Sequence, residues 1–535
     1  MAARPAPRTL TIGATAYPLI LPSIRDPRLH VAAVIITVHV LGQVGLGFRV
    51  SVPQILAAIL TCAVLEIAIT FRQSRAFVWP ASAMLTGSGV ALILRVVGTP
   101  PGEPWSTYAW YVFAVVAGLS LLSKYVIKYR GSHVFNPSNI GLVVAFLVLG
   151  SSRVEPLDFW WAPLNIWMLA AYAVIIVGGL LITRRLKLLG LAAAFWVTLT
   201  ILTGVLAASG HCMITNWSFT PVCGGDYLRA IATSPEVLIF LFFMITDPKT
   251  VPTGSVGRIV FGVLVAVAST LAMAPQTNEF GAKVGLLSGL LIVSAARPLL
   301  DRLLPQPGSS ADDPRLLLRR SLAGTAVLGS SAIGRALRAG FLAAGGGLLA
   351  ATIVLAGAPA RGPVTPDVAE VLDHIPRSMD PSTFPTITVK QDVGDFDPSL
   401  VGPGAQQLVQ TMAENLQVEN VALLRRDESI LTAVDHGDRL VEMQDRLRAA
   451  AATGPITIVT YRFDAITMSI LQPFGRQSGL SIGLDSTGTA TEQTYDAGGS
   501  LVASHSSPFG ATFVIRRATG GRWLNVAVLP PGATQ

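Results

Sequence analysis

Three short segments place polar side chains next to glycine or proline in an otherwise apolar sequence. They read PASAMLTGSGVAL, GSHVFNPSN and FFMITDPKTVPTG, and they begin at Pro80, Gly131 and Phe242. Hydroxyl, amide and carboxylate groups beside a helix break can bind a polar ligand, because the backbone there has unsatisfied N–H and C=O groups. The candidate binding residues are Ser82, Thr86, Gly87, His133, Asn136, Pro137, Asn139, Thr246, Asp247 and Lys249.

The GSHVFNPSN segment predicts the start of a helix. A residue before proline is disfavoured in the helical conformation, and proline is favoured in a first helical turn. Asn136 is therefore predicted to cap a helix that begins at Pro137, whose exposed amide groups would favour an anion. A plain helix cap is the alternative. His133 has no second His, Cys or carboxylate at metal-ligand spacing, so the sequence does not predict a metal site.

The other two segments each leave two interpretations. Pro248 disfavours a helical Asp247 and so predicts a break that frees carbonyl groups and a carboxylate at membrane depth, where such backbone either is buried in protein or lines a cavity. The small residues after Pro80 either form part of a site or let two helices approach closely.

The composition is that of a membrane protein. Of the 535 residues, 51% are hydrophobic and only 13% are charged, which is far from an ordinary soluble domain. Windows long enough to cross a hydrocarbon core of about 30 Å lie near 30–49, 52–71, 76–98, 107–127, 136–152, 160–182, 187–207, 235–252, 256–274, 280–299 and 334–357. These predict an α-helical polytopic protein with ten clustered helices in 29–303 and an eleventh helix in 334–358.

The distribution of charge predicts the orientation. Lys and Arg recur in alternate short loops, which places those loops, the N-terminal tail 1–28 and the linker 304–333 in the cytoplasm of a bacterium. Residues 361–535 carry 19 acidic and 13 basic side chains, against 12 acidic and 26 basic before them. The odd number of spans then makes residues 359–535 an extracytoplasmic domain. The basic charge serves orientation in the plasma membrane, and no nucleic-acid partner is predicted.

Several polar residues fall within or beside the predicted spans. Glu66 is a candidate proton or cation site, or else a hydrogen-bonded structural residue. Arg95 and Lys283 lie near outer helix ends and are expected to extend toward water, although Lys283 is also one helical turn from Glu279 and can pair with it.

Cys212 and Cys223 lie in one predicted outer loop. A disulfide between them is expected in an oxidising compartment, with two thiols as the alternative.

Taken in order, the motifs resemble a known family. SAMLTGSGVALILR, PPGEPW, RGSHVFNPSNIG, FFMITDPKTVP, VGRIVFG and NEFGAKVGLLSGLLIVSAARPLLDR are similar to the NqrB/RnfD family. These are the ten-helix integral subunits of the sodium-pumping NADH:quinone reductase and of the Rnf electron-transport complex. SHVFNPSNIGLV and FFMITDPKT most resemble the stand-alone UnbU-type branch, named from enediyne biosynthesis clusters. The resemblance covers about residues 30–303.

The resemblance implies two inverted five-helix repeats, flavin-mediated electron transfer coupled to ion movement, FMN or riboflavin as cofactor, and other redox subunits as partners. In the family, the flavin phosphate is esterified to the last Thr of a D-x-x-[ST]-[GAST]-A-T motif. Here the stretch reads GGDYLRAIATSPE, with Ala230 and Ile231 at the Ser and Gly positions and one additional residue. Thr233 is the corresponding residue, and this departure puts covalent attachment there in doubt.

The last third of the chain predicts an α+β domain. LVQTMAENLQVENVALLRR has apolar residues at helical spacing, as does DVAEVLDHIPRSM, whereas the segments from GPITIVTYRF to RWLNVAVL alternate as strands. Helices followed by a long antiparallel sheet resemble NTF2-like domains, which implies a pocket for a small-molecule ligand or a dimer face. Asp435, His436 and Asp438 are interpreted as a surface cluster at a helix N-terminus, with catalysis as the alternative.

Three functions follow from these observations. The first is a membrane electron-transport subunit, with flavin or quinone bound among the helices of the bilayer. The second is a transporter or channel for a small solute on the same inverted-repeat scaffold. The third is an accessory protein for export of, or self-resistance to, a secondary metabolite. No nucleophile elbow, phosphate-binding loop or dinucleotide fingerprint occurs in the predicted membrane region. If the protein is an enzyme, it is thus the redox subunit of an ion-translocating oxidoreductase.

Overall fold

The computed structural model describes residues 9–12, 15–100, 103–151, 153–156, 166–213, 215, 222–316, 332–360, 384–450, 454–471, 480–496, 499–518 and 522–533. The chain divides into two compact units. We call residues 1–211 with 223–361 the helical unit, and residues 212–222 with 362–535 the sheet unit.

The first 360 residues are mostly helical. Their α-helices are α1 Pro27–Val44, α2 Val52–Ser74, α3 Ala81–Ile93, α4 Trp110–Val126, α5 Pro137–Leu149, α6 Ile166–Arg185, α7 Leu189–Ala208, α8 Gly224–Thr233, α9 Pro235–Ile239, α10 Ser255–Met273, α11 Glu279–Ala295, α12 Arg297–Leu303 and α13 Ala332–Ala356. A π-helix, Phe240–Met244, continues α9, and 3-10 turns occur at Ser310–Asp312 and Ala358–Ala360. The short strands are β1 Thr9–Ile12, β2 Thr15–Ile20, β3 Phe77–Val78, β4 Leu94–Val96, β5 Lys128–Tyr129, β6 Ser132–His133, β7 Val154–Pro156, β8 Cys212–Met213 and β9 Val222–Cys223.

In the described part of the chain, six helical segments are, by length and composition, suited to cross a membrane. They are α1, α2, α6, α7, α10 and the run Gly224–Met244, and α11 with α12 forms a seventh if that pair, bent by 54°, is one span. Within the described residues, α3, α4, α5 and Ala344–Ala356 are shorter apolar helices. The prediction of a mostly helical protein with segments that could span a membrane is confirmed, whereas the ten clustered helices and their arrangement as two repeats stay predictions.

Two of the predicted spans differ from the observed helices. The windows 76–98 and 136–152 contain only the 13-residue helices α3 and α5, each followed by an extended strand, β4 or β7. These strands pair antiparallel, with Arg95 opposite Glu155. The Arg95 Nη1 atom lies 3.8 Å from the Glu155 Oε2 atom, and both side chains are buried. The expectation that Arg95 extends toward water is therefore wrong, because a carboxylate buried beside it compensates its charge.

The eighth window is also displaced. It was predicted at 235–252, whereas the helical run extends from Gly224 to Met244. Pro248 explains the earlier end, since a residue before proline avoids the helical conformation. Asp247 consequently lies in a turn, in which the Thr250 N–H donates to the Asp247 carbonyl.

The N-terminal tail contains a small sheet. β1 and β2 pair antiparallel, and β2 pairs in parallel with β3. Tyr17 packs against Phe71 and Phe77, with ring centroids 5.2 and 5.9 Å away. This aromatic cluster attaches the segment before α1 to the end of α2.

The sheet unit has the predicted C-terminal sheet. Its strands β10 Thr386–Val389, β11 Ile456–Leu471, β12 Ser481–Tyr495, β13 Leu501–Arg517 and β14 Trp523–Leu529 lie in chain order. β10 pairs in parallel with β11, and the other pairs are antiparallel. The helices are α14 Gln391–Phe396, α15 Pro403–Arg425 and α16 Gly437–Ala449, with 3-10 turns at Pro398–Leu400 and Glu428–Ala433. The predicted helix DVAEVLDHIPRSM lies outside the described residues.

The core of the sheet unit lies between α15 and the sheet. Leu408, Met412 and Leu416 recur at helical spacing on α15 and pack with Phe463 and Phe513 of the strands. All five side chains are buried, so apolar side chains fill this part of the space between helix and sheet.

Candidate functional site

The helical unit contains a cavity of about 460 Å³. We call it the central cavity. Among its lining residues are Ser82 and Thr86 of α3, His133, Asn136 and Pro137 before and at the start of α5, and Thr246, Asp247 and Lys249 after the π-helix. The three polar segments, far apart in sequence, thus meet at one cavity.

The start of α5 forms one wall of the central cavity. The Asn136 Oδ1 atom accepts a hydrogen bond from the Asn139 N–H at 3.2 Å, and Pro137 occupies the first turn. The predicted helix cap is confirmed. The same amide donates from Nδ2 to the Met244 carbonyl at 3.2 Å, which connects α5 to the end of the π-helix.

His133 and Asp247 form the second connection between these segments. The His133 Nε2 atom lies 3.2 Å from the Asp247 Oδ2 atom. A tight turn between β5 and β6 positions the histidine, with Arg130 and Gly131 both at positive φ. The other carboxylate oxygen, Oδ1, accepts a hydrogen bond from the Lys249 N–H at 3.0 Å. This contact could not be predicted from the sequence, because His133 and Asp247 are 114 positions apart.

The α3 helix joins the cavity through close packing against α5. The Ser138 hydroxyl donates to the Thr86 carbonyl at 3.1 Å. A Cβ atom on Gly89 would lie only 2.9 Å from the Ser138 Oγ atom. A small residue at this position therefore permits the approach of the two helices.

Two of the candidate residues support the site without lining it. A Cβ atom on Gly87 would lie 2.5 Å from the Ala58 carbonyl oxygen of α2, so this glycine permits helix packing. Asn139 is buried, and its Nδ2 atom donates to the Leu287 carbonyl of α11 at 3.1 Å.

Glu66 belongs to a buried polar cluster beside the cavity. Its Oε1 atom accepts from the Lys124 Nζ atom at 2.9 Å, and its Oε2 atom accepts from the Tyr125 hydroxyl. Lys124 also reaches the Ser82 hydroxyl, at 3.4 Å, and Ser82 lines the cavity. Glu66 is thus paired, as its structural interpretation requires. A role in proton or cation movement stays a prediction.

Sequence reasoning missed several groups at or near the cavity. Lys124 is one of the Lys and Arg residues in the alternate short loops, and nothing near it in the sequence indicates its carboxylate partner Glu66, 58 positions away. Asp26 and Arg28 line the cavity at the start of α1, with the Arg28 Nη2 atom 2.6 Å from the Asp26 Oδ2 atom. Hydrogen bonds from Arg28 lower the pKa of Asp26. Phe242 and Phe243 add aromatic surface to the cavity. The two adjacent phenylalanines are the sequence pattern from which this surface could have been predicted.

Thr233 lies away from the central cavity. It is the last residue of α8, is exposed, and donates from Oγ1 to the Arg229 carbonyl at 2.7 Å. Thr233 lies in the middle of the Gly224–Met244 run, just before the extended Ser234 that separates α8 from α9. The next residue of this run that lines the cavity is Ile239, six positions later, so the residue matched to the flavin-attachment motif is not itself part of the cavity wall.

Further polar groups lie outside this site. The Lys283 Nζ atom pairs with the Glu279 Oε1 atom at 2.8 Å, as its spacing predicted, and with Glu236 at 3.3 Å. Cys212 and Cys223 are disulfide-bonded. Cys62 is a buried thiol that donates to the Ala117 carbonyl. Within the described residues, no group of three or more His, Cys, Asp or Glu side chains could hold a metal ion.

Neither a protein-family model nor a curated protein matches this chain. Its function therefore has to be argued from the geometry of its own residues.

Proposed function

We propose that the protein is an integral membrane electron-transport subunit that binds a flavin, FMN or riboflavin, in the central cavity. The observation that carries this proposal is the convergence of the three motif segments on one cavity of about 460 Å³. Cavities of roughly 300–1,000 Å³ with a few convergent polar groups are typical of cofactor sites. The order of the motifs, which resembles the NqrB/RnfD family, favours a flavin among the possible ligands.

The residues at the cavity fit the chemistry of a flavin. The Asn136 amide has a second N–H beyond the one it donates to Met244, and Lys249 offers a cation. These groups suit the ring carbonyls, or the phosphate if FMN is the ligand. Phe242 and Phe243 offer apolar surface for the ring system. When bound, the flavin would supply one- and two-electron transfer, and the protein would orient it and exclude water.

Pairing between distant segments supports an inverted repeat. In the first half, α3 and α5 are short, and the strands after them, β4 and β7, pair with each other. In the second half, the segment after the π-helix meets the start of α12, where the Arg297 Nη1 atom donates to the Lys249 carbonyl at 2.5 Å. Short helices followed by extended backbone around a central site are typical of such repeats.

The proposed setting is the plasma membrane of a bacterium. The N-terminus and the loops rich in Lys and Arg lie in the cytoplasm, and the C-terminal domain lies outside. The lipid bilayer is then a direct partner, and other redox subunits would exchange electrons with the bound flavin.

The decisive experiment is the absorption and fluorescence spectrum of the detergent-purified full chain, before and after denaturation. Flavin released by denaturation would identify a noncovalent cofactor, and mass spectrometry would distinguish FMN from riboflavin. Flavin retained on the peptide containing Thr233 would instead establish covalent attachment. A colourless preparation would contradict the proposal.

A matched pair of cap variants assigns the flavin to the central cavity. Asn136 and Asn278 each cap a helix, α5 or α11, through the side-chain oxygen, but only Asn136 lines the cavity. Each substitution by alanine is expected to cost about 1 kcal/mol of stability. We expect Asn136→Ala to reduce the flavin content and Asn278→Ala to leave it unchanged.

Solute transport is the second candidate function. The observation that favours it is the contact of the buried Glu66–Lys124 pair with Ser82 at the cavity, because ionisable groups inside a membrane often mark solute or ion pathways. A colourless protein whose solute flux in vesicles requires Asn136 and Asp247 would establish this function instead.

A further inference from the structure

The sheet unit contains a cavity of its own, of about 410 Å³. We call it the α15 cavity. It lies between the first half of α15, the 3-10 turn Pro398–Leu400 and the adjoining ends of β13 and β14. The space between the middle of α15 and the sheet is filled by Met412, Phe463 and Phe513. The α15 cavity therefore lies beside that filled core, and Leu400 and Leu408 belong to both.

The polar lining of the α15 cavity has an excess of positive charge. Arg517 and Arg522 line it, and Glu414 is the carboxylate among its described lining residues. The Glu414 Oε1 atom already accepts a hydrogen bond from the Gln410 Nε2 atom at 2.9 Å. The two guanidinium groups and one carboxylate thus favour an anion.

Arg522 has unused hydrogen-bonding capacity. A guanidinium has five N–H donors, but in the described part of the chain that of Arg522 makes one hydrogen bond, from Nη2 to the Asn415 Oδ1 atom at 3.0 Å. Its Nε atom is buried without an acceptor, so a ligand in the cavity would contact the remaining N–H groups of Nη1 and Nη2. Burial lowers the pKa of this guanidinium, and the charge of Glu414 opposes that effect. A half-buried arginine in this condition is stabilised by an anionic ligand.

The remaining lining is apolar. Leu408 is 2% exposed, and Trp523 contributes an indole ring that is only partly buried. Thr411 adds a hydroxyl group between the apolar and the charged parts of the helix face. A ligand that fits this wall has an apolar body as well as a charged end.

We propose that the α15 cavity binds a small organic acid, whose carboxylate contacts Arg522 and whose apolar part packs against Leu408 and Trp523. A planar guanidinium matches a carboxylate through paired hydrogen bonds, and the volume lies within the range of small-molecule sites. This site is independent of the central cavity and of any flavin there.

Photo-crosslinking of the full chain in lipid nanodiscs tests the site. The probe is 4-benzoylbenzoate, and its neutral analogue is 4-benzoylbenzamide. We expect the acid to label peptides from the first half of α15 or from β14. The amide should label them about tenfold less, since a hydrogen bond to a charged group contributes roughly 1.5–3 kcal/mol. Equal labelling by both probes, or no labelling of these peptides, would overturn the proposal.

Three variants locate the charge that is responsible. Arg522→Gln is expected to reduce labelling by the acid about tenfold, whereas Arg448→Gln, at an exposed arginine of α16, should not change it. Glu414→Gln removes a repelling charge and should increase labelling. Normal labelling in a folded Arg522→Gln protein would contradict the proposal. If that variant does not fold, unchanged or weaker labelling of Glu414→Gln contradicts it instead, because misfolding cannot produce a gain.

Discussion

At the scale of single residues, Asp435 is the least expected feature of the sheet unit. The sequence pattern favours a surface cluster, but the Asp435 side chain is 2% exposed and lies beside Glu419, Arg439 and Asn525. The reason is local: the His436 N–H donates to the Asn525 carbonyl, and the Asn525 N–H donates to the Val434 carbonyl, both at 2.8 Å. These bonds hold residues 434–436 against β14, immediately before α16 begins.

We predict that Asp435→Asn stabilises the protein at neutral pH. Burial and the nearby charge of Glu419 raise the pKa of Asp435 well above its ordinary value, although Arg439 opposes this. The folded state therefore binds a proton more tightly than the unfolded state, and stability falls as pH rises from about 3.9, the ordinary Asp value, through the raised pKa. Asparagine does not ionise, so the Asp435→Asn variant does not lose stability as the pH rises.

Thermal unfolding of the sheet unit within the full chain, followed from pH 4 to pH 8, measures the effect. The advantage of Asp435→Asn should be present at pH 8 and should shrink toward pH 4. Asp445→Asn, at an exposed aspartate of α16 that pairs with Arg448, should change stability by about 0.5 kcal/mol or less. An advantage of Asp435→Asn that grows on acidification would contradict the prediction.

The Glu66–Lys124 pair provides a second residue-scale prediction. Removing one partner leaves a buried charge without its counterion, which typically costs about 3–5 kcal/mol, whereas replacing both is often nearly neutral. Glu66→Gln and Lys124→Met should each lower the unfolding temperature of the purified protein, and the double variant should recover most of the loss. Additive losses in the double variant would show that the two charges do not stabilise each other.

At the scale of helices and strands, α2 and α3 pack so closely that adding one methyl group between them is expected to lower the stability of the protein. Gly87→Ala would place a Cβ atom 2.5 Å from the Ala58 carbonyl oxygen, and overpacking of this kind typically costs about 1–3 kcal/mol. Gly190→Ala, in α7, is the matched control, because the nearest atom to its Cβ would lie at 3.8 Å. Unfolding temperatures of the two variants should differ, with only Gly87→Ala reduced.

The starts of helices could be predicted better than their ends. Asn136 and Pro137 predict the start of α5, because a helix cap depends on neighbouring residues. Ser51, which forms a capping box with Gln54 at the start of α2, is a signal of the same kind. The end of α3 at Ile93 has no Gly or Pro beside it. It is set by the pairing of β4 with β7, a partner about 60 positions later. A helix end that depends on pairing with a distant strand cannot be recognised from the residues beside it.

At the scale of the whole molecule, the disulfide offers a test of orientation. In intact cells, a maleimide that cannot cross membranes should not label the untreated protein, because Cys212 and Cys223 are disulfide-bonded and Cys62 is buried. After addition of an impermeant reductant, it should label two sites. The Cys212→Ser, Cys223→Ser double variant should remain unlabelled. Labelling that requires permeabilised cells would reverse the proposed orientation.

The two cavities differ in how far the sequence revealed them. The segments that form the central cavity were found because each contains a helix break with polar residues, but their partners Arg28 and Lys124 were not connected to them. The role of Arg522 in the α15 cavity could not be predicted from the sequence, because a single arginine in a segment of strands is common. Its significance depends on where Asn415 and Glu414 lie in the fold.

The ion pair between Arg95 and Glu155 has a consequence for biogenesis. At about 5–20 residues per second, the ribosome needs roughly 3–12 s to synthesise the 60 or so residues between them. During that interval the arginine has been synthesised but its carboxylate partner has not. The β4–β7 pair and its buried ion pair can form only after β7 has been synthesised, so the end of α3 reaches its final packing only then.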